Sequence, residues 1–180
     1  MDNKNFIIEK YMGFWYQIAS IPMFYGLDCV NSTANYTLSN GIVIVDNTCY
    51  TQKGAIQNRS ANGTAKMMAN KYDNVMAALR VDFPVPTIAE NIKISGVQLP
   101  SNASKDFSKY INADKSQANY LIHYTDYENY ALIGSPDKTS LYILSRYATI
   151  SKSSYAKISK YLCSLGYDTS KLQIDQGKVV

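Results

Sequence analysis

The sequence has little of what metal and cofactor sites are built from. It contains 180 residues with one histidine, and its three cysteines, Cys29, Cys49 and Cys163, are dispersed rather than set at a metal-site spacing such as C-x-x-C. It also lacks a phosphate-binding loop, a dinucleotide-binding fingerprint and the H-E-x-x-H pattern. We therefore expect neither a metal nor a cofactor.

Long apolar runs and clustered positive charge are missing as well. The longest apolar runs, Val75–Leu79 and Ile42–Val45, fall far short of the ~18 residues that cross a bilayer as a helix. The net charge is only +4, from 18 basic and 14 acidic residues that alternate along the chain, so nucleic-acid binding is not predicted. With 46% hydrophobic residues, the chain predicts one folded domain over residues 1–180.

The N-terminal residues and the glycosylation triplets bear on the compartment of the protein. Residues 1–10 lack the apolar core and the small-residue cleavage site of a signal peptide. We therefore expect the mature form of a secreted or cell-envelope protein whose leader has been removed or, alternatively, a cytoplasmic protein. Several N-glycosylation triplets, such as the one at Asn31, lean slightly towards secretion.

Tyrosine is abundant, supplying 16 of 22 aromatic residues, and aromatic residues favour strands. The order of apolar and polar residues along the chain predicts a series of short strands. The pattern predicts a strand at Gly13–Ala19 and a hairpin of Thr33–Leu38 and Ile42–Val45 about the turn Ser39-Asn40-Gly41. Further strands are predicted at Thr64–Met68, Ala77–Phe83, Tyr120–Tyr124, Tyr130–Ile133 and Leu141–Leu144. The polar stretch Asn58–Gly63 predicts a loop, and residues 87–117 are irregular.

One helix is predicted near the C-terminus, over about residues 151–165, followed by a closing strand at about 171–175. Ser151 or Ser153 can cap the helix, and Gly166 ends it. The apolar residues at helical spacing are Tyr155, Ile158, Leu162 and Leu165. About eight strands in sequential hairpins favour an all-β, eight-stranded antiparallel up-and-down barrel over a sandwich, spanning about residues 12–147, with the helix packed outside.

Three segments of this predicted barrel form motifs. Gly13-Phe14-Trp15-Tyr16-Gln17-Ile18-Ala19 has the pattern G-x-W-Y-x-I-A, Thr125-Asp126-Tyr127 forms a late turn, and Arg146 follows the last barrel strand. In this order, and with the helix behind them, they resemble the lipocalin family over about residues 8–175. Within it, the chain is most similar to the group of bacterial outer-membrane lipocalins, plant temperature-induced lipocalins and apolipoprotein D.

The resemblance implies structural roles for the motif residues. Trp15 would lie across a closed barrel end with Arg146 over its ring, and Asp126 would accept backbone hydrogen bonds in its turn. The residues expected to have such roles are Gly13, Trp15, Thr125, Asp126, Tyr127 and Arg146.

An inward Trp15, strand alternation and the family register together assign the inner face. The predicted ligand-binding residues are Ala34, Tyr36, Leu38, Val43, Val45, Ala65, Met67, Leu79, Val81, Phe83, Tyr120, Ile122, Ala131, Ile133, Tyr142 and Leu144. This apolar set, with tyrosine hydroxyls as its main polar groups, suits an elongated hydrophobic ligand such as a fatty acid, lysophospholipid, retinoid or pigment. The alternative is a filled barrel, although the small residues Ala34, Ala65 and Ala131 favour a cavity.

Two other functions stay open. The barrel could be a scaffold for protein–protein interaction through the loops Asn58–Gly63 or Thr87–Gln117. It could also be an isomerase, as a minority of lipocalins are enzymes, but His123 is predicted on the outer face without a nucleophile beside it. We expect no catalytic residues, a small hydrophobic ligand as partner, peripheral membrane contact at most, and a monomer or weak dimer.

The cysteines allow one internal disulfide. A two-residue turn at Asn40-Gly41 would set Cys49 opposite Ser32, so Cys49 could bond to Cys29 if the chain bends before Asn31. The resemblance to apolipoprotein D-type proteins implies instead a bridge from the position of Cys29 to a cysteine in the C-terminal tail, which this sequence lacks. Cys163 is expected to be a small buried hydrophobe in the helix.

Overall fold

The computed structural model describes residues 6–23, 26, 29–51, 59–84 and 113–180. Its elements are, in chain order, α1 (Ile8–Tyr11), β1 (Gly13–Ile21), β2 (Cys29–Ser39), β3 (Ile42–Thr51), β4 (Arg59–Met67), β5 (Ala77–Asp82), β6 (Tyr120–Thr125), β7 (Tyr130–Gly134), β8 (Leu141–Ser145), α2 (Lys152–Ser164), a 3-10 turn (Thr169–Lys171) and β9 (Gln173–Ile174). Within these ranges, no helix has the length and apolar character needed to cross a membrane.

The strands form a closed barrel. Neighbours pair antiparallel in the order β2-β3-β4-β5-β6-β7-β8-β1, and β1 also pairs with β2, so the sheet has no free edge between its first and last barrel strands. β9 adds to β1 outside this closed ring. The predicted eight-stranded up-and-down barrel is confirmed, together with one additional strand.

The hairpin of β2 and β3 turns through two residues. Ser39 pairs with Ile42, and both central residues have positive φ, 49° at Asn40 and 77° at Gly41, as a type I′ turn requires. This register sets Cys49 opposite Ser32. A register shift between Cys29 and Asn31 then brings Cys29 to Cys49, and the two form a disulfide with Cα atoms 5.5 Å apart.

The barrel packs apolar residues on both faces. One cluster lies inside the barrel and includes Trp15. A second lies outside between β1, β7, β8 and helix α2, where Leu162 packs with Ile18 and Ile143. Ser151 caps α2 by accepting a hydrogen bond from the Ser154 amide at 3.1 Å. Gly166 follows the helix with φ +86°, a conformation that favours glycine. The external helix is therefore as predicted.

The predicted loop Asn58–Gly63 is wrong over its described residues, because residues 59–63 belong to β4. Asn58 lies outside the described residues. A Cβ at Gly63 would stand 2.6 Å from both the Asp82 carbonyl oxygen and Cδ1 of Phe83. Gly63 therefore permits a close approach between two strands, whereas the sequence pattern predicts it in a loop.

Other local predictions also need correction. Cys163 is exposed rather than buried, because it is rotated by about 100° from Leu162, the residue that faces the barrel. The closing strand is shorter than 171–175, because Lys171 belongs to the 3-10 turn that Asp168 caps. The helical turn α1 was not predicted. Of the irregular segment 87–117, only residues 113–117 lie within the described ranges.

Candidate functional site: the barrel cavity

The barrel is closed at one end by Trp15 and Arg146. Trp15 is fully buried, and its Nε1 donates to the Tyr11 carbonyl oxygen at 3.0 Å. The Arg146 guanidinium carbon lies 3.6 Å from the centroid of the indole, which is the cation–π arrangement that the motifs imply. Trp15 pairs with Ala34 across β1 and β2. The plug therefore lies where the pairing of the first two strands closes the barrel.

Arg146 ties the chain around that plug. Its Nε donates to the Tyr127 carbonyl oxygen at 3.0 Å, its Nη1 donates to that of Phe14 at 2.8 Å, and its Nη2 donates to that of Met12 at 2.7 Å. Nη2 also reaches the Lys10 carbonyl oxygen at 3.1 Å. The guanidinium therefore satisfies the Lys10 and Met12 carbonyls at the end of α1, which have no partners within so short a helix, and links them to the turn that contains Tyr127.

The turn after β6 is organised by Asp126, as expected. One carboxylate oxygen accepts from the amides of Asn129 at 2.7 Å, Tyr130 at 3.0 Å and Glu128 at 3.2 Å. Burial alone would raise the pKa of Asp126, but these hydrogen bonds hold it below its ordinary value. Thr125 contributes by accepting from the Tyr127 amide at 2.9 Å.

Beyond the plug the barrel encloses a cavity of about 610 Å³. Eleven of the sixteen predicted ligand-binding residues line it. They are Ala34, Tyr36, Val43, Val45, Ala65, Leu79, Val81, Phe83, Tyr120, Tyr142 and Leu144.

Five predicted residues do not line the cavity. Leu38, Ile122, Ala131 and Ile133 do pack on the inner side, in or against the interior cluster that includes Trp15, but they are not among the residues that line the cavity. Met67 is 37% exposed, because it is the last residue of β4 and its alternation carries it beyond the packed part of the barrel. These five are corrections to the predicted lining.

The sequence-based assignment missed Tyr11, which completes a cluster of three tyrosines at the cavity floor. The Tyr120 hydroxyl is 2.8 Å from that of Tyr11 and 3.3 Å from that of Tyr36. The Tyr11 ring stacks on Tyr36 at 5.5 Å and lies 5.4 Å from the Trp15 ring, so the cluster stands directly on the plug. We call Tyr11, Tyr36 and Tyr120 the floor tyrosines.

Burial dominates the acid–base chemistry of the floor tyrosines. It raises the pKa of Tyr36 to about 12, although the Tyr120 hydrogen bond and the Arg146 charge act in the opposite direction. Burial likewise raises the pKa of Tyr11 and of Tyr120 well above the ordinary value. The floor is therefore an uncharged hydrogen-bonding surface at neutral pH.

Other polar groups besides the floor tyrosines also line the cavity. Asn47 lines it, and its Oδ1 is buried without a hydrogen-bond partner in the described part of the chain. Among the described residues, the charged ones that line the cavity are Arg80, Asp114 and Asp137. Arg80 pairs with Asp82 at 3.0 Å and donates to the Asp114 carbonyl oxygen at 3.2 Å, so its charge is already compensated.

A buried carboxylate braces the cavity wall on the side of β9. Asp175 is 5% exposed and accepts from the Ser32 amide at 2.7 Å and from Nε2 of Gln17 at 2.9 Å. Burial raises the pKa of Asp175 to about 6, against the lowering effects of Gln17, Ser32 and Lys178. Gln17 and Ser32 both line the cavity, so the C-terminal segment is hydrogen-bonded to its wall.

His123 lies away from the cavity. Its Nε2 is 2.8 Å from the Tyr167 hydroxyl, and its Nδ1 is 3.0 Å from the Asn74 carbonyl oxygen. Burial lowers the pKa of His123, which favours the neutral ring. Tyr167 belongs to the cluster outside the barrel, so this pair stabilises the packing of the outer face. Among the described residues, no three His, Cys, Asp or Glu side chains gather as a metal site requires.

Comparison of the sequence with known proteins identifies its relatives. The model of the lipocalin-like domain matches residues 6–102 and 93–176. Temperature-induced lipocalin-1 of Arabidopsis thaliana is 32% identical over 174 residues, covering 94% of this chain and 78% of the plant protein. A lipocalin-type protein of Acanthamoeba polyphaga mimivirus is 33% identical over 167 residues, covering 92% of this chain and 81% of the viral protein.

Solved structures agree on the fold. Apocrustacyanin C1 superposes with a TM-score of 0.59 at 17% identity, covering 95% of this chain and 79% of that one. Insecticyanin from the tobacco hornworm Manduca sexta gives a TM-score of 0.57 at 16% identity, covering 96% and 81%. The plugged antiparallel barrel, the family match along nearly the whole chain and two relatives above 30% identity together show that the chain belongs to the lipocalin family.

Proposed function

We propose that this protein binds and carries a small, elongated hydrophobic molecule in its barrel cavity. The observation that carries the proposal is a cavity of about 610 Å³ that begins at the floor tyrosines and continues between the apolar side chains of β3, β4 and β5. Its volume lies within the range of roughly 300–1,000 Å³ typical of small-molecule sites. Lipocalins are generally binding and transport proteins, which supports the same function.

The lining favours ligands with a long apolar body. Val43, Val45, Leu79 and Val81 offer only hydrocarbon, so a fatty acid, lysophospholipid, retinoid or pigment would bury its apolar part against them. A filled interior is the alternative to a cavity. The small side chains of Ala34 and Ala65 counter it, because both are buried and both line the open space.

Binding without turnover is part of the proposal. General acid–base catalysis works best with a group whose pKa is near the working pH. The tyrosines of the cavity floor have pKa values raised by burial and stay protonated at neutral pH, and His123 lies on the other side of the barrel wall. These features support a carrier and not an isomerase.

Substitutions at two neighbouring residues test the proposal. Ala65 points into the cavity between Val43 and Val81, whereas Thr64 is exposed on the outer face of the same strand. In Ala65→Phe the added ring occupies cavity space, and Thr64→Phe adds the same ring outside. Titration of each variant and the wild type with a fluorescent fatty acid compares their affinities, while native mass spectrometry detects lipid that copurifies.

We expect Ala65→Phe to weaken binding by about tenfold or more, equivalent to about 1.4 kcal/mol or more. Thr64→Phe should bind as the wild type does. Circular dichroism and thermal unfolding of both variants establish that the barrel is intact. Equal affinity in all three proteins, or no binding of any lipid by the wild type, would refute a ligand site inside the barrel.

We further propose that the protein works in an oxidising compartment, as a secreted or cell-envelope protein. Disulfides persist in such compartments and are rare in the cytosol. The support is the Cys29–Cys49 disulfide, which leaves Cys163 as the free thiol of the chain. Non-reducing mass mapping of the protein from its native source should find one free thiol, and three free thiols would contradict the proposal.

A further inference from the structure

The floor tyrosines have one hydrogen-bond proton more than they use among themselves. Each phenol donates one proton, and the three hydroxyls make two mutual contacts, Tyr11 with Tyr120 and Tyr36 with Tyr120. Whichever way these two bonds are directed, one hydroxyl proton of the three has no acceptor. The described part of the chain provides no further partner for these hydroxyls.

An unused donor at this depth is costly. Tyr11 is 2% exposed and Tyr36 is 7% exposed, and the described side chains that pack around them in the interior cluster are apolar or aromatic. Buried polar groups in folded proteins are nearly always hydrogen-bonded. Tyr11, Tyr36 and Tyr120 all line the cavity, so an oxygen atom of a ligand can approach their hydroxyls and accept the spare proton.

The floor is built for a neutral acceptor. Among the described residues, Arg146 is the cation whose charge acts on Tyr11 and Tyr36, but its Nε, Nη1 and Nη2 atoms donate to backbone carbonyls and its guanidinium lies against the Trp15 ring. A carboxylate placed there would lose its hydration and gain one hydrogen bond without a counter-ion. A carbonyl oxygen would lose far less and accept the same proton.

Resting on the proposed carrier function, we propose that the floor tyrosines receive a neutral carbonyl oxygen at the inner end of the ligand. The preferred ligand class is then a long apolar ketone or aldehyde, bound carbonyl first. The site should bind a fatty acid of the same chain length less tightly when its carboxylate lies at the floor tyrosines. Such an acid would have to bind the other way round, with its carboxylate near the far end of the barrel.

The test compares three ligands of equal chain length, a methyl ketone, the alkane and the fatty acid, by native mass spectrometry. It uses the wild type and the triple variant Tyr11→Phe/Tyr36→Phe/Tyr120→Phe, which removes the hydroxyls and keeps the rings. The matched control, Tyr124→Phe/Tyr147→Phe/Tyr161→Phe, removes three hydroxyls from tyrosines that are 40–59% exposed. Thermal unfolding checks the fold of both variants.

We expect the wild type to bind the ketone more tightly than the alkane and the acid, and the ratio of ketone affinity to alkane affinity to fall by about 2- to 12-fold in the triple variant. The control variant should match the wild type. A second measurement needs no variant: the infrared stretch of an isotope-labelled carbonyl should move to lower frequency in the wild-type complex, as hydrogen bonding requires.

Each contrary result has its own meaning. Equal affinities for ketone and alkane, an unshifted carbonyl stretch, or tighter binding of the acid that depends on the floor hydroxyls would overturn this inference and leave the carrier function intact. Failure of all three ligands to bind would overturn the carrier function itself, and this inference with it.

Discussion

Replacing Asp175 with asparagine should stabilise the protein at neutral pH and remove a pH dependence from its unfolding. Burial raises the pKa of Asp175 from the ordinary 3.8 to about 6. The folded protein therefore binds a proton on the Asp175 carboxyl more tightly than the unfolded chain does. The stabilising effect of the neutral carboxyl is complete below about pH 4, and it is lost as the pH rises through about 6.

The magnitude follows from that pKa. At about 1.4 kcal/mol for each pKa unit, a rise from 3.8 to about 6 corresponds to about 3 kcal/mol between the fully protonated and fully ionised protein. Asparagine resembles the protonated carboxyl. If Gln17 turns its amide, Oε1 can accept from both the new asparagine and the Ser20 hydroxyl, and the Ser32 amide keeps its acceptor. The number of hydrogen bonds is then preserved.

The assay is urea unfolding at a series of pH values, followed by the fluorescence of Trp15, the one tryptophan of the sequence. The free energy of unfolding of Asp175→Asn should exceed that of the wild type by about 2–3 kcal/mol near pH 7 and by less than about 1 kcal/mol near pH 4. Taking the difference cancels the other carboxylates. A difference between the two proteins that does not change with pH would refute the reasoning.

Asp168 provides the matched control. It is an exposed carboxylate in the 3-10 turn, and hydrogen bonds from Ser170 and the nearby Lys171 lower its pKa. Its ionised form is favoured by folding, so its contribution is present at neutral pH and is lost as the pH falls. Asp168→Asn should therefore give no gain near pH 7, in contrast to Asp175→Asn.

Two further substitutions test the packing at either side of the barrel wall. Arg146→Lys should lower the free energy of unfolding by about 2–4 kcal/mol, because an ammonium group cannot serve the carbonyls of Tyr127, Phe14 and Met12 together; an unchanged urea midpoint would contradict this. Gly134→Ala should cost about 1–3 kcal/mol, because its Cβ would overlap the ring and hydroxyl of Tyr167. In a double-mutant cycle with Tyr167→Ala most of that cost should vanish, and strict additivity would rule out the overlap.

The inner face could be predicted because alternation along strands is a local property. Once Trp15 is taken as inward and the register of the family sets the phase of each strand, residues such as Tyr36 on β2 and Leu79 on β5 follow by counting in twos. The counting fails where the backbone departs from regular pairing. A register shift between Gln17 and Ala19 leaves both Ile18 and Ala19 on the helix-facing side, and alternation cannot foresee such a bulge.

Tyr11 and Asp175 were missed for different physical reasons. Tyr11 lies on a helical turn of four residues, which is too short to show a helical period. Its place four residues before Trp15 could have indicated a contact, because Nε1 of Trp15 donates to the Tyr11 carbonyl oxygen. Asp175 contacts Ser32 across 143 residues of sequence. No local pattern reports a pairing at that separation.

The two walls of the cavity are fixed by side chains that replace strand pairing. On one wall Asp175 accepts the Ser32 amide. On the other, the Asn119 side chain both donates to the Val81 carbonyl oxygen and accepts from the Val81 amide at 2.8 Å, as a paired strand residue would. These bonds join side chains and backbone of the protein itself, so they hold the walls in place independently of what the cavity binds. Affinity differences between ligands should therefore reflect what each offers the floor tyrosines and the apolar lining.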